Sequence, residues 1–210
     1  MIVSHKHRFI FLKTRKTAGT SLEIALSRLC GPDDIITPIS DRDEVLRKEL
    51  GGKGPQNCEP TSGRAPVNHM PASGVRRLVG PEVWDEYFTF AVERNPWDQV
   101  ASSYSYSNRR RRWNVQFGAF VRSARLDKLA RNQHIYRLGG QVAVDRVCLF
   151  ESLDRDVAEV CDLLGLPPLE LPHAKASPNR RHYRELYDPS DVEVVRRVFS
   201  KTIETFGYEF

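Results

Sequence analysis

Residues 9 to 21 read FIFLKTRKTAGTS, an apolar run that ends abruptly in a segment of basic, small and hydroxyl-bearing residues. Apolar positions resume at helical spacing in residues 22 to 26, so the pattern predicts a strand, a turn and a helix. At such a junction the helix N-terminus offers N–H donors and the positive end of the helix dipole. Gly19 permits close backbone approach, and Thr17, Thr20 and Ser21 add hydroxyl donors. The stretch therefore predicts an anion site, above all for a phosphate.

The order of residues in this turn differs from that of the magnesium-dependent nucleotide loop. The loop of the GxxxxGK[ST] type opens with glycine, and its lysine and hydroxyl follow the second glycine. Here Lys16 precedes Gly19, and no glycine opens the segment. An ordinary strand-to-helix turn with solvated basic residues is the plainer alternative.

Residues 13 to 21 resemble the 5′-phosphosulfate loop of sulfotransferases that use 3′-phosphoadenosine 5′-phosphosulfate (PAPS). The resemblance is strongest to the carbohydrate-type group, sulfotransferase family 2. It implies that PAPS is the sulfate donor and that the loop residues bind it. Those residues are Arg15, Lys16, Thr17, Ala18, Gly19, Thr20 and Ser21.

A second segment has the features that a 3′-phosphate requires. Residues 88 to 92 form an apolar run that predicts a buried strand, and residues 96 to 106 predict a helix with Pro96 in its first turn. Arg94 at the strand end offers a planar cationic fork, and Ser102 lies two helical turns into the helix. The string RNPWD, residues 94 to 98, resembles the family's 3′-phosphate motif. The alternative is a helix cap with Arg94 on a surface carboxylate.

The resemblance also implies catalytic roles. Sulfuryl transfer needs a base for the acceptor hydroxyl and a cation at the leaving phosphate. Lys16 matches the family lysine that contacts the bridging and sulfuryl oxygens, and His69 matches a histidine that precedes a short helix and acts as the base. Histidine titrates near neutrality, so it is expected to accept a proton without large tuning. Glu93 and Glu23 are the alternative carboxylate bases.

A late basic loop, residues 171 to 183, looks like the segment that covers the cofactor in this family. The resemblance implies contacts to the 3′-phosphate or the adenine side. The sequence does not choose between the two adjacent arginines. The candidate residues are Lys175, Ser177, Arg180 and Arg181.

The 210 residues suffice for one core, so one domain over residues 1 to 210 is expected. The alternation of strands and helices predicts an α/β fold: a three-layer, P-loop-like arrangement with a central, mainly parallel sheet flanked by helices. The net charge of +5 and the isoelectric point near 9.1 favour anionic partners. The four cysteines show no CxxC pair, and no metal is expected to be required.

The first eight residues contain no basic-then-apolar leader, and no apolar run approaches the ~20 residues of a spanning helix. A cytoplasmic protein without a membrane span is therefore expected. The four arginines at 109 to 112 allow a solvated loop, a contact to an acidic acceptor or glycan, or a nucleic-acid contact. Nucleic acid is the least favoured, because no RNA or DNA module motif accompanies them.

The leading hypothesis is an enzyme that transfers a sulfuryl group from PAPS to a hydroxyl of a carbohydrate or a glycosylated small molecule. A P-loop kinase-like phosphotransferase is one alternative, although the sequence lacks the GK[ST] order and a clear magnesium-holding aspartate after a later strand. The other alternative is a non-catalytic module that binds polyanions on the same fold.

Overall fold

The computed structural model describes residues 1–59, 65–111, 115–172 and 182–210, with the backbone alone for residues 109–111. The chain forms two compact units. The first comprises the described parts of Met1–Glu93 and His134–Ala176, and the second those of Arg94–Gln133 and Ser177–Phe210. That both together make one domain, as the sequence predicts, stays a prediction.

Seven strands and eleven α-helices form the regular structure of the described residues. The strands are β1 (Ile2–Ser4), β2 (Phe9–Leu12), β3 (Ile35–Ile36), β4 (Phe88–Glu93), β5 (Arg137–Leu138), β6 (Gln141–Val142) and β7 (Arg146–Leu149). The helices are α1 (Gly19–Ser27), α2 (Asp41–Glu49), α3 (Ala72–Val79), α4 (Pro81–Glu86), α5 (Pro96–Arg111), α6 (Phe117–Val121), α7 (Ala124–Ala130), α8 (Gln133–Tyr136), α9 (Leu153–Leu164), α10 (Pro189–Val198) and α11 (Ser200–Phe206).

The first unit is built on a five-stranded sheet with the order β3-β1-β2-β4-β7. β2 pairs in parallel with β4, and β4 pairs in parallel with β7. β1 is antiparallel to both β2 and β3, so β1 alone runs against the other four strands. The predicted α/β fold with a central, mostly parallel sheet flanked by helices is therefore confirmed.

The central strands β2 and β4 are mostly apolar because both faces of the sheet are covered. On one face Phe9, Phe11 and Phe90 pack with Leu22 and Leu26 of α1 in a single buried cluster. The ring centroids of Phe11 and Phe90 lie 5.2 Å apart. Alternate residues of the same strands point to the opposite face, and they are also fully buried: Ile10, Leu12 and Ala91.

The second unit has its own core around Trp97 of α5. The Trp97 side chain is fully buried and donates its indole N–H to the Val192 carbonyl at 3.1 Å. The Tyr187 hydroxyl donates to the Trp97 carbonyl at 2.8 Å. These bonds join α5 to the C-terminal segment and fix the start of α5, which carries the predicted 3′-phosphate motif.

Two details of the chain differ from the sequence prediction. The spacing of apolar residues from 189 to 205 predicts a single helix, but the structure has two helices, α10 and α11, separated at Phe199, whose φ and ψ are −105° and 17°. Four short strands were not predicted at all: β1, β3, β5 and β6. Among the described residues, none of the helices has both the length and the apolar character that crossing a bilayer requires.

Candidate active site

The turn between β2 and α1 has an unusual backbone. Lys16 and Ala18 both adopt left-handed conformations, with φ of 64° and 60°. Such a conformation costs a non-glycine residue about 1–2 kcal/mol and is concentrated at ligand sites. α1 has no side-chain cap and no acidic residue in its first turn, so this turn of the helix brings no negative charge of its own to an anion bound at its N-terminus.

Two hydroxyl groups tie this turn to the neighbouring strand. The Thr14 hydroxyl donates to the Val92 carbonyl of β4. With its proton used in that bond, Thr14 Oγ1 accepts from the Thr17 hydroxyl at 2.7 Å. The predicted phosphate contact at Thr17 therefore has an internal partner for its hydroxyl, and Thr20 and Ser21 follow in the first turn of α1.

Gly19 begins α1 at a point where the turn folds tightly against it. A Cβ placed on Gly19 would lie 2.7 Å from Cγ of Lys13 and 3.3 Å from the Thr14 carbonyl oxygen. The first distance is shorter than real Cβ contacts allow. The path of the Lys13 side chain therefore explains glycine at this position, while close approach of the Gly19 backbone to an anion stays a prediction.

Lys13 belongs to a buried network of charged side chains that was not predicted from the sequence. Its ammonium group donates to Glu23 of α1, and the Lys13 and Glu23 side chains are 5% and 0% exposed. Arg47 of α2 is also buried, with Nη2 3.9 Å from the same carboxylate. Burial alone would raise the pKa of Glu23, but the positive charges of the Met1 amino group and Lys13 lower it.

The buried ion pair with Lys13 gives Glu23 a structural role rather than that of a catalytic base. A carboxylate without exposed surface that accepts from Lys13 holds the turn against α1, and it has no open face toward an acceptor hydroxyl. A charged residue inside the apolar run LEIAL, residues 22 to 26, was the one signal in the sequence for a buried ion pair.

His69 approaches the turn from a distant part of the chain. Its Nδ1 lies 2.9 Å from the Lys13 carbonyl oxygen. A carbonyl can only accept, so Nδ1 carries the proton and Nε2 of the neutral ring is the acceptor. The backbone of His69 is left-handed, with φ of 60°. The structure therefore places the predicted base beside the predicted phosphate loop, 56 residues away in sequence.

The acid–base behaviour of His69 differs from the sequence expectation. Burial, and then the positive charges of Arg15 and Lys13, lower the pKa of His69 to about 3. The hydrogen bond that the ring donates to the Lys13 carbonyl raises this pKa but does not offset the decrease. The ring is thus strongly tuned and stays neutral at pH 7. Arg15 is itself half-buried, and burial lowers the pKa of its guanidinium. Lys16 is half-buried beside it in the turn.

Glu93, the other alternative base, lies at the end of β4 and is 1% exposed. It accepts a hydrogen bond of 2.7 Å from the Tyr136 hydroxyl. Burial, then the charge of Glu93, raises the pKa of Tyr136, so this phenol stays protonated as the donor. The Glu93 carboxylate therefore already accepts a hydrogen bond from Tyr136, a residue of the same unit.

The second unit contains the start of α5. Asn95 caps this helix by accepting from the backbone N–H of Trp97 at 3.1 Å. Arg94 is 4% exposed and donates through Nε and Nη2 to one oxygen of Asp98, at 2.8 and 2.5 Å. Ser102 lies one turn beyond Asp98 on the same face of α5.

Asp98 was missed as a partner of Arg94, although the spacing of four residues indicates it. The pairing resembles the plainer alternative of a capped helix with Arg94 on a carboxylate, but Asp98 is only 16% exposed. The ion pair fixes the plane of the Arg94 guanidinium. An anion at Arg94 would meet a cation that is already oriented.

Several predicted residues cannot be compared with the structure. Lys175, Ser177, Arg180 and Arg181 lie outside the described residues, as do Arg112 and the side chains of residues 109 to 111. Within the described ranges, no group of three or more His, Cys, Asp or Glu side chains is placed to hold a metal ion.

Comparisons with known proteins show which family the chain belongs to. A family model described as the sulfotransferase family matches residues 1–209. An uncharacterised protein of Archaeoglobus fulgidus is 39% identical over 101 residues, which cover 47% of this chain and 84% of that protein. The crystal structure of a sulfotransferase from Alicyclobacillus acidocaldarius aligns over 97% of this chain and 87% of its own, with 18% identity and a TM-score of 0.37. Because the family model spans nearly every residue, the chain belongs to the sulfotransferase family.

Proposed function

We propose that this protein transfers the sulfuryl group of PAPS to a hydroxyl of a carbohydrate or a glycosylated small molecule, without a metal. The observation that carries the proposal is the bond from His69 Nδ1 to the Lys13 carbonyl, which holds a neutral imidazole beside the β2–α1 turn. Family membership supports the sulfotransfer class. The donor and the acceptor type are the finer parts of the proposal.

The turn suits the 5′-phosphosulfate end of PAPS. Glycine at position 19 lets the Lys13 side chain pass close to the start of α1, and the first turn of α1 directs N–H groups without intrahelical acceptors toward the turn. Arg15 and Lys16 add positive charge. In this proposal Thr17, Ala18, Gly19, Thr20 and Ser21 surround the 5′-phosphate.

PAPS supplies an activated sulfuryl group, in which the bond from sulfur to the bridging phosphate oxygen breaks as the bond to the acceptor oxygen forms. Lys16 is assigned to the bridging and sulfuryl oxygens, where it stabilises the charge that develops on the departing phosphate. Loss of one such preorganised donor typically costs about 3–4 kcal/mol of transition-state stabilisation.

His69 is assigned the acceptor proton. With Nδ1 donating to Lys13, the lone pair on Nε2 is available to receive the hydroxyl proton in the transfer step. A pKa of about 3 makes the resting ring a weak base, so proton transfer is expected late, once the acceptor oxygen has begun to bond to sulfur. In-line displacement leaves the imidazolium to release its proton to solvent.

The 3′-phosphate contacts are proposals carried by the motif of the second unit. Arg94 provides the fork, which Asp98 orients, and Ser102 provides a hydroxyl on the same face of α5. Lys175, Ser177 and Arg180 or Arg181 are proposed to complete the cofactor contacts on the grounds of resemblance alone.

Calorimetry with 3′-phosphoadenosine 5′-phosphate (PAP) against ATP, at fixed salt, tests the donor assignment. We expect PAP to bind at least tenfold more tightly than ATP. Lys16→Ala is expected to abolish most turnover, while the matched control Lys48→Ala, an exposed lysine of α2, leaves both binding and turnover unchanged. Preference for ATP would instead support a kinase-like phosphotransferase.

Turnover separates the enzyme from a polyanion-binding module. With labelled PAPS and a panel of glycosides, His69→Ala is expected to remove transfer and to retain PAP binding. A module without catalysis would bind polyanions independently of PAP and would be insensitive to both Lys16→Ala and His69→Ala.

A further inference from the structure

His69 lies in a turn whose backbone is strained. The φ angle of His69 is 60°, in the left-handed region, and neither Asn68 nor His69 belongs to a helix or a strand. A non-glycine residue in this conformation loses about as much free energy as one neutral hydrogen bond returns. The bond from His69 Nδ1 to the Lys13 carbonyl is therefore roughly offset by the strain, and further contacts decide whether the ring stays in place.

Asn68 makes a second contact that holds the same turn. Its side-chain N–H₂ group donates to the Pro38 carbonyl at 2.9 Å. Because a carbonyl can only accept, the amide nitrogen faces Pro38, and the amide oxygen lies 3.5 Å from the Met1 amino group. This longer contact is near the limit of a hydrogen bond and contributes little. Two consecutive residues of the turn are thus bonded to backbone carbonyls of two other segments.

Glu23 fixes these two carbonyls relative to each other. Lys13 donates its ammonium group to Glu23, and the Thr37 hydroxyl lies 3.3 Å from Glu23 Oε1. Thr37 directly precedes Pro38, and Thr37 and Glu23 are both fully buried. All the residues involved belong to the first unit. The contacts form a closed circuit through Glu23, Lys13, His69, Asn68, Pro38 and Thr37.

We propose that Asn68 is a positioning residue for the transfer reaction: it holds the turn in the conformation in which Nδ1 of His69 meets the Lys13 carbonyl and Nε2 is left as the acceptor. The amide of Asn68 does not titrate, so its bond persists while the imidazole gains and loses a proton. Without this bond the turn can relax, and the proton of the neutral imidazole can move to Nε2. In that tautomer Nε2 has no lone pair for the acceptor proton. The proposal rests on the proposed function, because it treats His69 as the base.

The tautomer of His69 in the ligand-free protein tests this role without an acceptor. Long-range ¹H–¹⁵N correlation spectra of the labelled full chain at pH 7.5 distinguish a protonated from an unprotonated ring nitrogen. The His69 signals are those missing from His69→Asn. We expect the wild-type imidazole to carry its proton on Nδ1. In Asn68→Ala the shifts of the two nitrogens should converge, because loss of one hydrogen bond changes the equilibrium between the bonded and the relaxed turn about five- to tenfold.

Steady-state kinetics test the catalytic consequence, with labelled PAPS and the glycoside that the wild-type protein sulfates fastest. Asn68→Ala is expected to lower kcat about five- to tenfold, in proportion to the loss of the bonded turn. The KM for PAPS and the Kd of PAP should stay within about twofold, because the β2–α1 turn keeps its own contacts. Asn68→Gln retains an amide donor on a longer side chain and should recover part of the lost kcat.

Asn57→Ala is the matched control. Asn57 also has a left-handed backbone, with φ of 51°, and its side chain donates to the Pro32 carbonyl at 2.8 Å and the Asp34 carbonyl at 2.9 Å. The control is therefore expected to lower the midpoint of denaturant unfolding at least as much as Asn68→Ala does. Its His69 tautomer and its kcat should match those of the wild-type protein, because both bonds of Asn57 lead to residues outside the circuit.

An Nδ1 proton that is undisturbed in Asn68→Ala would overturn the positioning role, and so would a loss of kcat that Asn57→Ala shares. Mixed tautomers in the wild-type protein would overturn it as well. Wild-type binding of PAP and wild-type kcat in Asn68→Ala refute the role of Asn68 alone. Loss of PAP binding, or of all transfer, in the wild-type protein refutes the proposed function instead, and the tautomer comparison still decides whether Asn68 holds His69.

Discussion

Replacement of His69 by asparagine tests the geometry on which the proposed mechanism depends. Asparagine tolerates the left-handed backbone of this position, where φ is 60°. Its amide N–H₂ can also donate to the Lys13 carbonyl, as Nδ1 of His69 does. His69→Asn therefore removes the titrating ring with little change to the backbone or to this hydrogen bond.

The magnitude follows from linkage. Burial lowers the pKa of His69 from its ordinary value of 6.5 to about 3 in the folded protein. Below about pH 6.5, His69 of the unfolded chain therefore binds a proton that His69 of the folded chain does not bind. The stability that the neutral ring contributes is complete above pH 6.5, and it is lost as the pH falls toward 3. At pH 5 the loss is about 2 kcal/mol, and this figure holds for any folded-state pKa well below 5.

Denaturant unfolding of the wild-type protein and of His69→Asn at pH 7.5 and pH 5.0 measures this term. Other titrating groups are common to both proteins and cancel in the difference. We expect the wild-type protein to lose about 2 kcal/mol more than the variant between the two pH values. Because the folded ring stays neutral, kcat/KM should also show no acid limb near pH 6.5. Equal losses in the two proteins, or an acid limb at pH 6.5, would refute the buried, Lys13-bound histidine.

Two further substitutions test the turn itself. Gly19→Ala is expected to lower the unfolding free energy by about 1 kcal/mol, because overpacking against Lys13 costs about 1–3 kcal/mol and alanine regains up to about 1 in a helix. Calorimetry should also show that Gly19→Ala binds PAP at least tenfold more weakly. The control Gly54→Ala, whose new Cβ has no atom within 4 Å, should match the wild-type protein in unfolding free energy and PAP affinity. Glu23→Gln leaves the Lys13 ammonium buried without its counter-charge, and denaturant unfolding should show a loss of about 3–5 kcal/mol. A loss below about 1 kcal/mol would mean that Glu23 does not neutralise this lysine.

The elements that carry the two motifs were predictable because their signals are local. β2 is a continuous apolar run, β4 is apolar at four of its six positions, and α5 begins with Asn95 as its cap and Pro96 in its first turn. β1 and β3 are three and two residues long, so their patterns are too short to separate strand from turn. β1 pairs with β2 and also with β3, which lies far along the chain, and these two pairings decide that β1 runs against the other strands. The break between α10 and α11 falls within a continuous apolar stripe that gives no local signal.

The sequence predicted which residues form the candidate site better than it predicted their pKa values and their partners. The sequence selected His69 as the base, but its depressed pKa depends on burial and on two cations from another segment. Likewise, Lys13 lies in the predicted phosphate loop, but its ion pair with Glu23 could not be predicted, because it forms only when α1 packs against the turn. The Arg94–Asp98 ion pair was also not predicted, although a spacing of four residues in a helix indicates such a pair directly.

The shape of the β2–α1 turn is maintained by the protein's own contacts. The left-handed residues Lys16 and Ala18 together cost about 2–4 kcal/mol, which the surrounding contacts must offset. Thr14 anchors the turn to the β4 backbone through a buried hydrogen bond, and Lys13 anchors it to α1 through a buried ion pair. A turn held open in this way does not have to be ordered by its ligand, so less binding free energy is lost on association. The same Lys13 also presents its carbonyl to His69, and the geometry of the base is therefore tied to that of the phosphate loop.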